Sequence, residues 1–257
     1  MLDRGLWRYV RRTQINRLKH YLHRRLNRRL PKSPGIRYAF RFKGFQSLLH
    51  FVYCRKIRRH NTFSALGKTY RYFDTYKTWL GERAVEIPGV MEMVKKHQGT
   101  NILEIGNVLA HHVQFQHDIV DKYEIAKGVI NKDVVDFKSE KKYDLIVSIS
   151  TLEHVGWDEK PRDNMKILHA IENLKTLVTP RGGTIIITVP LGHNFTLDKL
   201  LKDLDIPFSK QCYLMRISIG NEWKEVLWED IQDARYNAPF PFANGLLVGI
   251  IAVKPKV

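Results

Sequence analysis

Apolar residues recur at Leu2, Leu6 and Val10, then at Leu18, Leu22, Leu26 and Leu30, with arginine and lysine filling the positions between. Rows spaced i, i+4 lie on one helix face, so the pattern predicts a basic amphipathic helix over residues 2–30. Pro31, Pro34 and Gly35 end it. A second basic stretch from Arg37 to Arg59 interleaves Phe40, Phe42, Phe45, Phe51 and Tyr53. Between Tyr70 and Lys96 helices are expected, with Pro88 near the start of one over Gly89–His97, where a missing N–H costs little.

Beyond Asn101 the period changes. Asn101–Ile105 reads as a buried strand, followed by strands at His117–Val120, Gly128–Val135, Tyr143–Ile149 and Gly183–Val189. Between the last two, Ile167, Leu168, Ile171, Leu174 and Leu177 mark a helix over 163–177 that the Thr179–Gly183 turn terminates. Two further strands are expected near Gln211–Ile219 and Leu246–Val253. Short β-rich runs alternating with helices predict an α/β fold with a doubly wound, mostly parallel sheet.

Charge divides this chain in two. Residues 1–60 contain 18 Lys and Arg and one acid, Asp3, whereas the rest contains 25 basic and 25 acidic residues. All of the net +17 therefore sits in the first quarter. We expect a basic, mainly helical extension over 1–62 and a neutral domain over 63–257. Cys54 and Cys212 fit no metal or redox spacing and read as reduced thiols of a cytoplasmic protein. The most apolar run, Phe45–Cys54, falls short of the roughly 20 residues that span a bilayer, and no secretory signal is expected.

Candidate chemistry begins where the first strand of the alternation ends, at Glu104-Ile105-Gly106-Asn107. A glycine there lets the backbone turn sharply and approach a ligand, and the Glu104 carboxylate is a candidate partner for a ligand ammonium. The full GxGxxG pattern is absent, because Val108 and Ala110 or His111 occupy its later positions, which argues against a classical NAD or FAD site.

Four ordered segments resemble class I S-adenosylmethionine-dependent methyltransferases. They are Glu104-Ile105-Gly106, Lys132–Asp136, Tyr143–Ser150 continuing through Thr151-Leu152-Glu153-His154-Val155, and Thr179-Pro180-Arg181-Gly182-Gly183. The resemblance implies a seven-stranded Rossmann-like methyltransferase sheet, with the cofactor half over about 99–190. It also implies S-adenosylmethionine as cofactor, held by Glu104, Gly106, Asn107, Asp121, Asp133, Val134 and Ser148. Asp133 falls where the family places an acid against the adenine amino group. Two departures stand out. The glycine motif has lost its second and third glycines, and the acid expected for the ribose comes early, since Asp121 lies 17 residues past Glu104 and Glu124 lies 20 past it. Asp121, directly after the strand-like His117–Val120, is favoured.

The donor methyl group arrives activated, so the expected reaction is methyl transfer by in-line positioning. His154, just after the fourth strand, is the candidate base for the acceptor, because an imidazole with pKa near ~6.5 suits proton transfer; the alternative is that it merely lines the pocket. His111 and His112 read as first-helix residues, and as sequence neighbours they point apart, so they are no metal pair; no metal is expected. Upstream, Glu82–Pro88 forms either a helix covering the site through Arg83 or Glu86, or a salt-bridged surface. Trp157, Tyr213, Trp223 and Trp228 read as acceptor-pocket or core aromatics.

The acceptor expected is a small molecule or glycan, with the basic extension resting on an anionic membrane surface. Alternatives are an RNA methyltransferase whose basic arm grips nucleic acid, and a catalytically degenerate binding protein. The leucine stripe packing on the domain or on a partner stays open beside these.

Overall fold

The computed structural model describes Val52, Arg58, residues 60–75 and residues 78–255. The chain divides into two units, Met1–Tyr53 and Cys54–Val257, and apart from Val52 the described residues belong to the second. The amphipathic helix read over 2–30, most of the basic stretch that follows it, and Cys54 lie outside the described residues. No helix among the described residues is long and apolar enough to cross a membrane.

The unit opens with a hairpin, β1 (Thr62–Ala65) and β2 (Lys68–Arg71), turning through Leu66 and Gly67, both at positive φ. Tyr70 and Arg71 therefore lie in a strand, not in the helical region expected from the sequence. Helix α1 (Arg83–Lys96) starts six residues earlier than its apolar spacing suggested, which leaves Pro88 inside it. An interior proline frees the carbonyl four residues back. That carbonyl belongs to Ala84, and it accepts the Phe73 N–H at 2.8 Å instead. A tertiary hydrogen bond thus replaces the helical one that Pro88 cannot make.

Strands β3 (Ile102–Ile105), β4 (Asp118–Val120), β5 (Val129–Ile130), β6 (Leu145–Ile149), β7 (Gly183–Pro190), β8 (Lys210–Arg216), β9 (Trp223–Val226) and β10 (Gly245–Val253) form one sheet. Its order is β5-β4-β3-β6-β7-β10-β8-β9. The first five pair in parallel, while β10 runs antiparallel to both β7 and β8. The sheet has eight strands rather than seven, because β8 continues into an antiparallel pairing with β9. The third strand of the alternation shrinks from the expected Gly128–Val135 to Val129–Ile130, since Val134–Asp136 turns away from the sheet.

Side-chain alternation decides which helix covers which face. Leu145, Val147, Ile149 and Ile186 pack with Val90 and Val94 of α1. Ile146, Ile185 and Ile187 point the other way, toward α2 (Lys166–Leu177), whose Ile167, Ala170, Ile171, Leu174 and Leu177 are buried at helical spacing. Central strands buried on both faces read as continuous apolar runs, which is why β3 and β6 were legible. One polar residue of α2 is also buried. Asn173 donates to the Val134 and Phe137 carbonyls (2.8 and 2.9 Å) and accepts from Lys138 (3.1 Å), fixing the turn beyond β5.

The chain order reverses between β3 and β6: β4 lies on one side of β3 and β6 on the other. In open α/β sheets such a switch point opens a crevice beyond the carboxyl ends of its strands. The cleft described next lies there.

Candidate active site

A cleft of about 640 Å³ lies beyond the carboxyl ends of β3, β4, β5 and β6. Gly106, Asn107, Asp121, Asp133, Val134 and His154 line it, whereas Glu104 and Ser148 do not. Ser148 is fully buried within β6, and its hydroxyl has no hydrogen-bond partner among the described residues.

Gly106 is needed for two reasons. Its φ of +81° is left-handed, and a Cβ there would stand 2.1 Å from Thr151 Oγ1. The loops following β3 and β6 therefore meet at a contact only glycine allows. Thr151 is preceded by Ser150, a non-glycine residue at φ +39°. Such strain persists where surrounding bonds over-determine it: the Ser150 N–H donates to Thr188 O at 2.8 Å and its hydroxyl to Glu86 Oε1 at 2.6 Å. The buried Glu86 also accepts the Thr188 hydroxyl at 2.7 Å and pairs with Arg83. Glu82–Pro88 opens a helix, but neither Arg83 nor Glu86 lines the cleft, and the two pair with each other. Glu86 is no surface charge: it ties α1 to the ends of β6 and β7.

After Gly106 the chain makes a single 3₁₀ turn, Leu109–His111, instead of the first helix expected from the sequence. Glu104 organises that turn. Its Oε1 accepts the Val108 and Leu109 N–H groups at 2.8 and 2.6 Å, and its Oε2 lies 2.6 Å from His117 Nε2. Both carboxylate oxygens are thus committed inside the protein rather than offered to a ligand. Asn107 links this turn to the next strand, its backbone N–H donating to Asp121 Oδ2 (3.2 Å) and its amide to Glu124 Oε1 (2.7 Å). The Asn107 amide oxygen is buried without a partner among the described residues. Asp121 also accepts the Tyr123 and Glu124 N–H groups, both at 2.8 Å, so it shapes its own turn while facing the cleft.

At the far end Asp133 and Glu159 share two cations. Lys122 and Lys166 both contact Asp133 Oδ2, at 2.9 and 2.6 Å, and both reach Glu159. Burial works to raise the Asp133 carboxyl, but the hydrogen bonds from the two lysines prevail and hold it at about 2.

A second polar cluster gathers around His154. His154 is half exposed, with Nδ1 2.5 Å from Asp158 Oδ2. Its ring meets that of His193 edge-on at 4.8 Å, and His193 meets Tyr236 in the same way at 5.3 Å. Burial, then the nearby Glu82 and Glu153, push the Tyr236 phenol up to about 12. Burial raises the Glu153 carboxyl well above the usual range. Burial and the His154 charge lower the His193 imidazole. Asp158, Glu153, His193 and Tyr236 were not singled out from the sequence. Asp158 had a readable signal, lying i+4 from His154. His193 had none, being 39 residues away and brought in by the loop after β7. Trp157, Tyr213, Trp223 and Trp228 do not line the cleft; Trp223 and Tyr213 are core residues.

The loop carrying His193 is held by helix α3 (Phe195–Lys202). Asn194 caps it by accepting the Thr196 and Leu197 N–H groups, both at 3.0 Å, and donates to the Glu153 carbonyl at 2.9 Å. Asp198 accepts the Gly192 N–H at 3.0 Å. Burial raises the Asp198 carboxyl to about 6 from 3.8, the Gly192 bond acting the other way.

Two variants test this account. Gly106→Ala should destabilise the fold by about 1–3 kcal/mol, and Thr151→Ala in the same chain should restore part of the loss; additive losses in urea melts would break the assignment. For Asp198, the folded chain holds a proton that the unfolded chain releases between pH 3.8 and about 6. Its ionisation therefore lowers stability as pH rises through that window. Asp198→Asn should accordingly stabilise by about 1–2 kcal/mol above pH 6 and by nothing near pH 3.5; a gain that does not change with pH contradicts it.

No protein-family model matches the chain, and no curated protein sequence matches it significantly. Among solved structures it is similar to the N-methyltransferase NodS from Bradyrhizobium japonicum WM9 in complex with S-adenosylhomocysteine, at 13% identity over 65% of this chain and 85% of that one, TM-score 0.41. The sugar N-methyltransferase KedS8 from Streptoalloteichus sp. ATCC 53650 shares 13% identity over 65% and 86%, TM-score 0.34. Magnesium protoporphyrin IX methyltransferase from Synechocystis PCC 6803 with bound S-adenosylmethionine shares 12% over 63% and 76%, TM-score 0.33. The fold assignment rests on the sheet itself. Its parallel strands run 3-2-1-4-5 in order of appearance, and the antiparallel β10 slips between β7 and β8, where the dinucleotide-binding sheet continues directly to a sixth strand. With that order, and with its cleft at the switch point, the chain has the class I methyltransferase fold.

Proposed function

We propose that this chain binds S-adenosylmethionine in the switch-point cleft and transfers its methyl group to a small-molecule or glycan-type acceptor. The observation that carries the reading is the glycine cradle. Gly106 lines the cleft where the loops after β3 and β6 close on each other through Thr151, beside a buried Asn107 amide oxygen that has no partner among the described residues. Asp121 and Glu124 would hold the ribose hydroxyls, since a carboxylate accepts more hydrogen bonds than these two already receive. Asp133 and Val134 would meet the adenine, with Asp133 offering Oδ1 because Oδ2 is taken by lysines.

Glu104 contributes indirectly. It holds the turn that shapes the cradle, and the ammonium group falls to the Asn107 amide oxygen and the backbone around it. Bound there, the sulfonium supplies an activated methyl group. His154, with Asp158 holding one ring nitrogen, stands where the acceptor enters and governs the acceptor's proton.

Calorimetric titration with S-adenosylmethionine and S-adenosylhomocysteine should give micromolar binding. Asp121→Ala should weaken it about tenfold or more, the loss of one charged hydrogen-bond partner being ~1.5–3 kcal/mol. His154→Ala should leave the affinity unchanged. A folded protein that binds neither ligand ends this reading and leaves a methyltransferase fold serving only as a binding scaffold.

The basic first 60 residues fit an anionic membrane surface, on which arginines meet headgroups and the leucine row enters the interface. The full chain should sediment with phosphatidylserine vesicles, not with phosphatidylcholine alone, and should be released by salt. Salt-sensitive RNA binding without vesicle binding would replace the membrane reading with nucleic-acid recognition.

A further inference from the structure

The acceptor end of the cleft carries a donor set that proton chemistry alone leaves unexplained. One ligand atom from each of His154, Asp158 and His193 lies within 4.8 Å of the others. Behind them Glu153 is 1% exposed, and its Oε1 is 3.6 Å from His154 Nε2. Glu153 Oε2 and His193 Nδ1 are both buried without a hydrogen-bond partner among the described residues. Buried polar atoms are ordinarily satisfied, and here two residues around His154 each leave one unpartnered. Glu82 and Glu86 add further carboxylates behind Glu153, against the single cation of Arg83.

We infer that His154, Asp158 and His193, backed by Glu153, form a site for one divalent transition-metal ion of the zinc, cobalt or manganese class. Two imidazoles with carboxylates favour that class over magnesium or calcium, which prefer all-oxygen shells. Neighbouring ligands of one tetrahedral ion stand about 3.3 Å apart, so the cluster needs about 1.5 Å of closure. His154 and Asp158 have half-exposed side chains free to supply it. The His193 loop is fixed by Asn194 and by Asp198 through Gly192.

The binding claim stands on these side chains alone. Its consequence rests on the methyl-transfer reading and narrows the acceptor class to hydroxyls. An ion at this end would acidify an acceptor O–H. With His154 ligating the ion in place of taking the proton itself, the proton leaves to solvent, the freed oxygen pair forms the bond to the methyl carbon, and the pair of the breaking carbon–sulfur bond stays on sulfur.

The test uses the untagged full-length chain, stripped with EDTA and titrated with Co²⁺ and Zn²⁺. One equivalent of Co²⁺ should bind with visible ligand-field bands, which Zn²⁺ abolishes by displacement. His193→Ala and His154→Ala should each weaken binding at least about 10–100-fold, the loss seen when even an outer partner of a metal ligand is removed. His169→Ala, an exposed histidine on α2, should not. Thermal melts establish that each variant is folded. If His193→Ala unfolds, the half-exposed His154→Ala and Asp158→Asn decide. Unchanged Co²⁺ spectra in folded His154→Ala, or no stoichiometric uptake by the wild type, overturns the site. Titrating the same stripped sample with S-adenosylmethionine separates the two readings: cobalt bound without cofactor supports the metal site while removing the methyl-transfer reading, and cofactor bound without cobalt does the reverse.

Discussion

The cleft depends on one buried carboxylate. Glu104 is fully enclosed at the end of β3, where it receives two backbone N–H groups and the ring of His117. An unpaired charge at that depth costs several kcal/mol, so its partners are obligatory and the turn from Val108 to Leu109 has little freedom. This explains how the loop keeps its shape without the later glycines and without a full helix behind it. The carboxylate draws the amide groups of a single 3₁₀ turn into place. Asn107 and Asp121 then carry that order across to β4.

A second constraint comes from α1. Glu86 binds the hydroxyls of Ser150 and Thr188 from the far side of the sheet, holding the left-handed Ser150 that aims Thr151 at Gly106. Proline inside the same helix is tolerated because Phe73 occupies the carbonyl it exposes. Helix, sheet ends and glycine contact therefore form one mechanical unit, and the cradle cannot shift without moving α1.

Charge is divided along the cleft. Around Asp133, Lys122 and Lys166 neutralise Asp133 and Glu159, leaving a closed square of ion pairs. Around His154, burial instead pushes Glu153 and Tyr236 toward their protonated forms.

Much of the fold was legible along the chain, because central parallel strands are buried on both faces and must be continuously apolar. The runs at Asn101, Tyr143 and Gly183 announced β3, β6 and β7, and the spacing from Ile167 to Leu177 announced α2. Gly106, Asp121 and His154 stood at the ends of those strands, so topology alone placed them at one crevice. What the chain did not reveal depends on partners distant in sequence. The short β5 follows from Asn173 pulling its far end into a turn, and the place of Pro88 follows from Phe73. Glu104 was read as facing a ligand and faces its own loop, since local pattern shows that a carboxylate sits at a strand end but not which N–H groups reach it first. His193 joins His154 only where the loops after β7 and β6 converge. Local sequence thus determined which segments are strands and helices and which residues stand at their ends. Only the tertiary structure decided what each of those side chains touches, because hydrogen-bond partners and charge balance are set by neighbours in space.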